Sequence, residues 1–152
     1  MKQFLYLIGI LFIASACKEI YEVPPQSMLQ ATLMNSTTNL AMTSKVTIQG
    51  IGRDSLWVSE TSVNQITLPL SKNDTTRFQI TFDSTVDKIS IIHTTTPKYG
   101  SMETGFYYEY KLKSVESTHN RIVSIDITDS LVTTKWHENI KINIRPLPVG
   151  GN

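Results

Sequence analysis

The 152 residues include a single cysteine, Cys17, only three histidines, and no excess of charge, with 14 Lys plus Arg against 13 Asp plus Glu. With one thiol no internal disulfide can form, so the chain cannot rely on the bridges that staple small secreted domains. Balanced charge gives no electrostatic grip on a polyanion, and nothing favours nucleic acid as a partner. A membrane-spanning helix takes about 20 apolar residues, and no run of that length is present. The apolar run from Phe4 to Ile13 is shorter.

That short run has a function of its own. Lys2 precedes it, and the small residues Ala14, Ser15 and Ala16 follow it directly before Cys17. A basic start, a short apolar core and a small-residue cleavage site make a secretory signal. Small residues before a cysteine are what a lipoprotein signal peptidase reads. The sulfur receives a diacylglyceryl group, the chain is cut before Cys17, and the new amine is acylated by a chain such as palmitate. This is more than the pair of signals that stable anchoring takes. The alternative is ordinary signal cleavage nearby, since Ala14 stands where Leu is usual. Lipidated, Cys17 sets location; thiolate metal sites and cysteine catalysis are then excluded from the mature chain.

The expected organisation is a signal peptide over 1–16, a lipid-anchored tether over 17–27, one folded domain over 28–146 and a frayed tail over 147–152. Pro24 and Pro25 make the tether extended and fairly stiff. Lys18 after the cysteine does not resemble an inner-membrane retention signal, so the expected location is the outer membrane. "CKEIYE" lacks the run of acids that would choose the cell surface over the periplasmic face.

Within the domain, apolar residues alternate with period two, and no window sustains helical spacing. Phe78, Ile80 and Phe82 share one face; so do Ile89, Ile91 and His93, with Ile92 opposite, as in a central strand. Val123, Ile125 and Ile127 read as an inward set, and Ile140, Ile142 and Ile144 as another. "GFYYEYKLK" places Phe106, Tyr108, Tyr110 and Leu112 inward, with Tyr107 outward. Val46 and Ile48 lead into "GIGRDS" and then Leu56, Trp57 and Val58. Ile66, Leu68 and Leu70 follow in register, with Pro69 marking an edge strand or its end. "SKND", "DSTVD", "PKYGS", "STHN" and "ITDS" read as the turns between strands. The fold class is all-β: a single antiparallel β-sandwich, Ig-like or related, of seven to nine strands, with a small β-barrel as the alternative.

The succession "GIGRDSLWV", "ITLPLSKNDTTRFQITF", "DKISIIHTTTPKYGSMETGF" and "RIVSIDITDSL", closed by "NIKINI", resembles a family of small Gram-negative lipoproteins known only as a domain of unknown function. The likeness runs from about Val46 to Ile144, on turn-and-strand motifs rather than catalytic ones. It implies no activity. Family members carry Cys-Gly where this chain has Thr104 and Gly105, and another cysteine near the mature N-terminus. The resemblance therefore implies a family disulfide that this chain has given up, leaving its N-terminal segment held without a bridge. It also implies an outer-membrane β-barrel protein as partner, because genes for such barrels accompany the family.

Candidate chemistry is sparse. His93, His119 and His137 show none of the short metal-ligand spacings, and "HENIK" lacks the second histidine of a metalloprotease helix, so no metal or other cofactor is expected. His93 reads as a partly buried strand residue, and the other two as solvated turn residues. No G-x-S-x-G elbow marks a nucleophile, and "GIGRDS" lacks the lysine of a phosphate loop. Glu103 and Glu109 are the most suggestive acid pair, with no separation fixed by the sequence. Tyr99, Tyr107 and Trp136 remain as exposed aromatics for a binding surface, since such rings offer a flat apolar face and a polar tip. Four of the six Asp residues precede Ser or Thr, which makes Ser55, Thr75, Ser84 and Ser130 candidate O-glycosylation acceptors in loops. Asp followed by Ser or Thr is also ordinary turn chemistry. The expected function is non-catalytic: a lipid-anchored accessory or scaffold that binds an envelope protein. The alternative is a glycan-binding module using the exposed aromatics.

Overall fold

The computed structural model describes residues 25–148, and its regular elements are all strands. The signal segment, Cys17 and most of the tether lie outside the described residues. In chain order the strands are β1 (Met28–Asn35), β2 (Ser44–Gly50), β3 (Leu56–Val63), β4 (Gln65–Pro69), β5 (Thr75–Phe82), β6 (Thr85–Ser101), β7 (Gly105–Ser117), β8 (Ile122–Ile127), β9 (Leu131–Val132) and β10 (Glu138–Ile144). Four make one sheet, in the order β4-β1-β10-β8, and six the other, β3-β2-β5-β6-β7-β9. The sheets do not close into a barrel, and the β-sandwich expected from the alternation is present.

Two features of the topology were not expected. The strands number ten, because β9 is a two-residue strand and Asn64 alone separates β3 from β4, which lie in different sheets. In addition, β1 and β10 pair in parallel, whereas the other pairings of named strands are antiparallel. A strand's alternation says which face is buried but not which neighbour it takes. The parallel register slips at Gln30/Ala31. There the buried Asn139 side chain accepts the Gln30 N–H at 3.1 Å and donates to the Leu131 carbonyl at 2.8 Å, replacing lost ladder bonds.

One core cluster lies between the sheets. Leu29, Leu33, Leu68, Ile140, Ile142 and Ile144 of the smaller sheet belong to it, with Val46, Ile48, Ile80, Phe82, Ile89 and Ile91 of the larger. Burying each such side chain is worth about 1.5–3 kcal/mol. The expected inward sets on β5, β6 and β10 are all buried. His93, expected to be partly buried, is fully so.

On β8 the expected set is corrected. A register shift at Asn143/Ile144 leaves Ile122 opposite Ile144, fully buried, while Val123 is exposed. An extra residue in one strand of a pair flips the alternation on one side of it. Ile127 is also exposed, at the end of an edge strand.

Phe106 is the second correction. Expected in the core, it is 66% exposed, and "PKYGS", expected as a turn, continues β6. The first residue of β5, Thr75, pairs with Ile92, so from His93 to Ser101 β6 has only β7 beside it. On the far side of β7, β9 pairs with Tyr110 and Lys111, so the two-stranded ribbon proper runs from Thr96 to Ser101, about 20 Å at ~3.3 Å per residue. Its outer part projects past the sandwich, where neither face can be buried. With no strand on β6's other side here, Pro97 costs no ladder bond.

The register separates two ends. The starts of β1, β5 and β10 and the ends of β2, β4 and β8 lie at the end where the chain enters the domain. At the far end, Asp87 on β6 is fully buried and accepts hydrogen bonds from the N–H groups of Asn120 (2.7 Å), Arg121 (2.8 Å) and Ile122 (3.1 Å) and from the Thr118 hydroxyl (2.8 Å). These bonds fix the crossing from β7 in one sheet to β8 in the other. Arg121 is buried beside them; it pairs with Asp83 and donates to the carbonyls of Phe82 (2.9 Å) and Arg145 (3.1 Å). The far end is thus a polar clamp. The entry end is different in kind.

Candidate functional site

At the entry end, aromatic residues from separate elements surround a groove of about 420 Å³. Pro25, Gln26, Ser27 and Met28 form one wall, Trp57, Pro69 and Leu70 another, and Phe106, Tyr107, Tyr108 and Tyr110 of β7 the third. A neighbouring depression of about 490 Å³ shares Trp57, Pro69 and Leu70 with it, so Trp57 stands on the ridge between the two. The rings are held by bonds to backbone. The Trp57 indole N–H donates to the Thr67 carbonyl at 2.7 Å, which carries β3 across the exposed edge of β4. The Tyr110 hydroxyl donates to the Leu70 carbonyl at 3.0 Å. Lys72 sits over the Tyr108 ring at 4.6 Å from its centroid, a cation–π contact.

The groove comprises one of the three aromatics expected from sequence, and the other two adjoin it. Tyr107 lines it, half-buried. Tyr99 packs edge-on against Phe106, with centroids 5.4 Å apart. Trp136 is exposed, and its indole N–H donates to the Gln26 carbonyl at 3.0 Å, joining the β9–β10 loop to the incoming chain. That bond, with the burial of Ser27 and Met28, holds the N-terminal segment without a bridge. Sequence reasoning missed Trp57 and Phe106. A signal for Trp57 was present, because Leu56, Trp57 and Val58 are three consecutive apolar residues and a strand cannot turn them all to one face.

Behind the groove, Tyr110 meets His93 edge-on at 5.2 Å. His93 Nε2 lies 2.9 Å from the Thr76 hydroxyl. That hydroxyl's proton goes to Ser71 Oγ (3.1 Å), whose own proton reaches the carbonyl of Asn73 or Thr75. Nε2 must therefore donate, leaving Nδ1 as the bare nitrogen. Burial lowers the His93 pKa; the nearby Asp74 charge opposes this and Lys113 adds to it. The imidazole is neutral at pH 7. Burial likewise raises the Tyr110 pKa, with Tyr108 adding to the effect. Ser27 Oγ, His93 Nδ1 and Thr95 Oγ1 are buried with no partner among the described residues. All three border Tyr110: Ser27 across the groove, His93 against its ring and Thr95 opposite it in the ladder.

The remaining candidates are dispersed. Ser55 and Ser84 lie exposed in turns, whereas Ser130 is half-buried just before β9. Thr75 is half-buried as the first residue of β5, not in a loop as expected. His119 and His137 are exposed; His137 Nε2 lies 2.9 Å from Asp129. Its pKa is raised, chiefly by its bond to the Lys135 carbonyl; desolvation opposes this, and the hydrogen bond and charge of Asp129 add to the rise. Glu103 occupies the β6–β7 turn and Glu109 pairs with Lys98 at 3.7 Å. Among the described residues, no three His, Cys, Asp or Glu side chains are grouped to hold a metal ion.

A family model described as a family of unknown function, DUF6452, matches residues 45–144. No curated protein and no solved structure matches the chain.

Proposed function

Because the chain belongs to DUF6452, a family of unknown function whose model spans most of its length, membership brings no activity with it, and we propose from the site itself a non-catalytic outer-membrane lipoprotein that acts by binding an envelope protein. The observation that carries this reading is the convergence of Trp57, Phe106, Tyr107 and Trp136 on the end where the chain enters from the predicted anchor. Trp57 and Trp136, exposed and each held by an indole bond to a backbone carbonyl, lose little side-chain entropy when covered, and aromatic residues dominate binding energy at interfaces. Tethering Cys17 in the bilayer restricts the domain to a thin layer and raises its effective concentration for a membrane partner. An integral outer-membrane protein, such as a β-barrel, fits both the layer and the orientation of the site.

A second reading, a glycan-binding module, draws on the same groove. Tyr107 and Trp57 offer flat apolar rings with polar tips on two walls of the groove. The two readings separate under one pair of substitutions, Trp57→Ala with Tyr107→Ala. On the envelope-protein reading, gentle detergent extraction co-purifies a discrete membrane protein with the wild type. The double variant loses most of it, a drop of about tenfold or more if each ring is worth at least ~1 kcal/mol. Retention of that protein by the double variant would count against the groove. Binding of the wild type to a glycan array, with no protein partner recovered, would favour the second reading.

A further inference from the structure

The tip of the β6–β7 ribbon exposes Tyr99, Met102 and Phe106, and Met102 is 90% exposed. This apolar tip is built rather than loose. Within the turn the Ser101 N–H donates to Thr104 Oγ1 (3.0 Å), while Ser101 Oγ accepts the N–H groups of Glu103 (3.2 Å) and Thr104 (3.1 Å). A Cβ on Gly100 would meet Thr104 Oγ1 at 2.5 Å, and Gly105 has φ of +69°, so both positions fit glycine. Hydrogen bonds that close the turn leave Met102 no course but outward. An apolar side chain held in water by a rigid turn forgoes burial that a flexible loop would find.

Direction and reach indicate what covers it. Pro25 and Phe106 border the same groove, so the ribbon tip projects from the end at which the chain enters. From Phe106 to Met102 is four residues, so at ~3.3 Å each the tip stands at most about 13 Å beyond the groove. Seven residues lie between Cys17 and Pro25, and fully extended the eight steps between them span at most about 26–29 Å. A lipid on Cys17 therefore allows the tip to reach the bilayer with the tether slack.

We propose that Tyr99, Met102 and Phe106 form a second membrane contact, dipping into the interface of the bilayer in which Cys17 is anchored. Tyr99 and Phe106, packed edge-on, suit the headgroup level, and Met102 the acyl boundary beneath it. Lys98, on the ribbon beside Tyr99, is paired with Glu109 at 3.7 Å, and Glu103, next to Met102 in the turn, keeps the contact shallow. Two attachments fix an orientation that one tether leaves free. The domain then stands with the aromatic groove facing along the membrane, where an integral protein is met. The inference rests on the anchored reading proposed above.

The test uses the full chain purified from membranes and reconstituted in vesicles of phosphatidylethanolamine and phosphatidylglycerol. Met102→Cys carries an environment-sensitive fluorophore, and Thr38→Cys, in the turn at the far end, carries the same label as reference. The expected result is a blue shift at position 102 with most of its quenching by aqueous iodide lost, and neither change at position 38. A label at 102 that stays fully accessible on vesicles carrying the protein overturns the proposal. So does a blue shift that appears only when other membrane proteins are co-reconstituted, since the tip then contacts protein. Failure of the anchor itself looks different: the unlabelled chain would not associate with the vesicles at all.

Discussion

Asp87→Ala should lower stability by about 3–5 kcal/mol, a large share of the 5–15 kcal/mol that holds a domain of this size together. The substitution leaves the N–H groups of Asn120, Arg121 and Ile122 facing a buried space with no acceptor. It does so where β7 crosses to β8, so both sheets are affected. The thermal midpoint of the full chain should fall by roughly 10–20 °C. Val86→Ala, at an exposed neighbour, should change it little; equal effects from the two would show that the clamp is not structural. Asp87 also sets an acid limit. Burial raises its pKa, but the hydrogen bonds from Arg121, Asn120, Thr118 and Ile122 outweigh burial and bring it below the ordinary value; the bonds of Arg121 and Ser44 do the same for Asp83. A carboxylate with a depressed folded pKa stabilises the fold fully above its unfolded pKa of about 3.9, and that stability is lost as pH falls through the lower folded value. Unfolding measured against pH should therefore show a loss of stability that sets in below about pH 4.

Cys17→Ser should move the protein from the membrane fraction to the soluble fraction almost completely. Each buried CH₂ of an acyl chain contributes about 0.8 kcal/mol, and the three apolar side chains of the ribbon tip cannot replace several such chains. Cell fractionation measures the shift, and mass spectrometry of the N-terminal peptide shows whether Cys17 bears acyl groups in the wild type. A variant that remains with the membrane, or an unmodified wild-type Cys17, would contradict the anchored reading and with it the geometry proposed for the ribbon.

Where a strand lies in the middle of a sheet over the core, its burial could be read from alternation alone. Phe78, Ile80 and Phe82 on β5 and Ile140, Ile142 and Ile144 on β10 follow the pattern because one face meets the other sheet along their whole length. The pattern misleads where a long-range event intervenes. The bulge opposite Asn143/Ile144 depends on how β8 meets β10, which no local spacing contains. Phe106 continues the alternation of Tyr108 and Tyr110, but β5 and the opposing sheet end before reaching it. Pro97 and Gly100 carry turn composition, yet β7 pairs with Pro97, Lys98, Tyr99 and Ser101, and Gly100 falls only at a register shift in that ladder. The groove was legible in its residue types, through Tyr99, Tyr107 and Trp136, and not in its assembly. Its walls come from positions as distant as Pro25 and Tyr110. The pairing of β1 with β4 sets Met28 beside Pro69 at that groove, and such a long-range pairing leaves no local mark.

The most direct test of the binding reading is site-specific photocrosslinking in intact cells, with a photoreactive residue at Tyr107 in one strain and at Thr38 in another. We predict a discrete crosslinked species from position 107, identified as an integral outer-membrane protein, and none from position 38. Equal recovery of bulk neighbours from both positions, or no protein captured at 107 from a correctly localised chain, would contradict it.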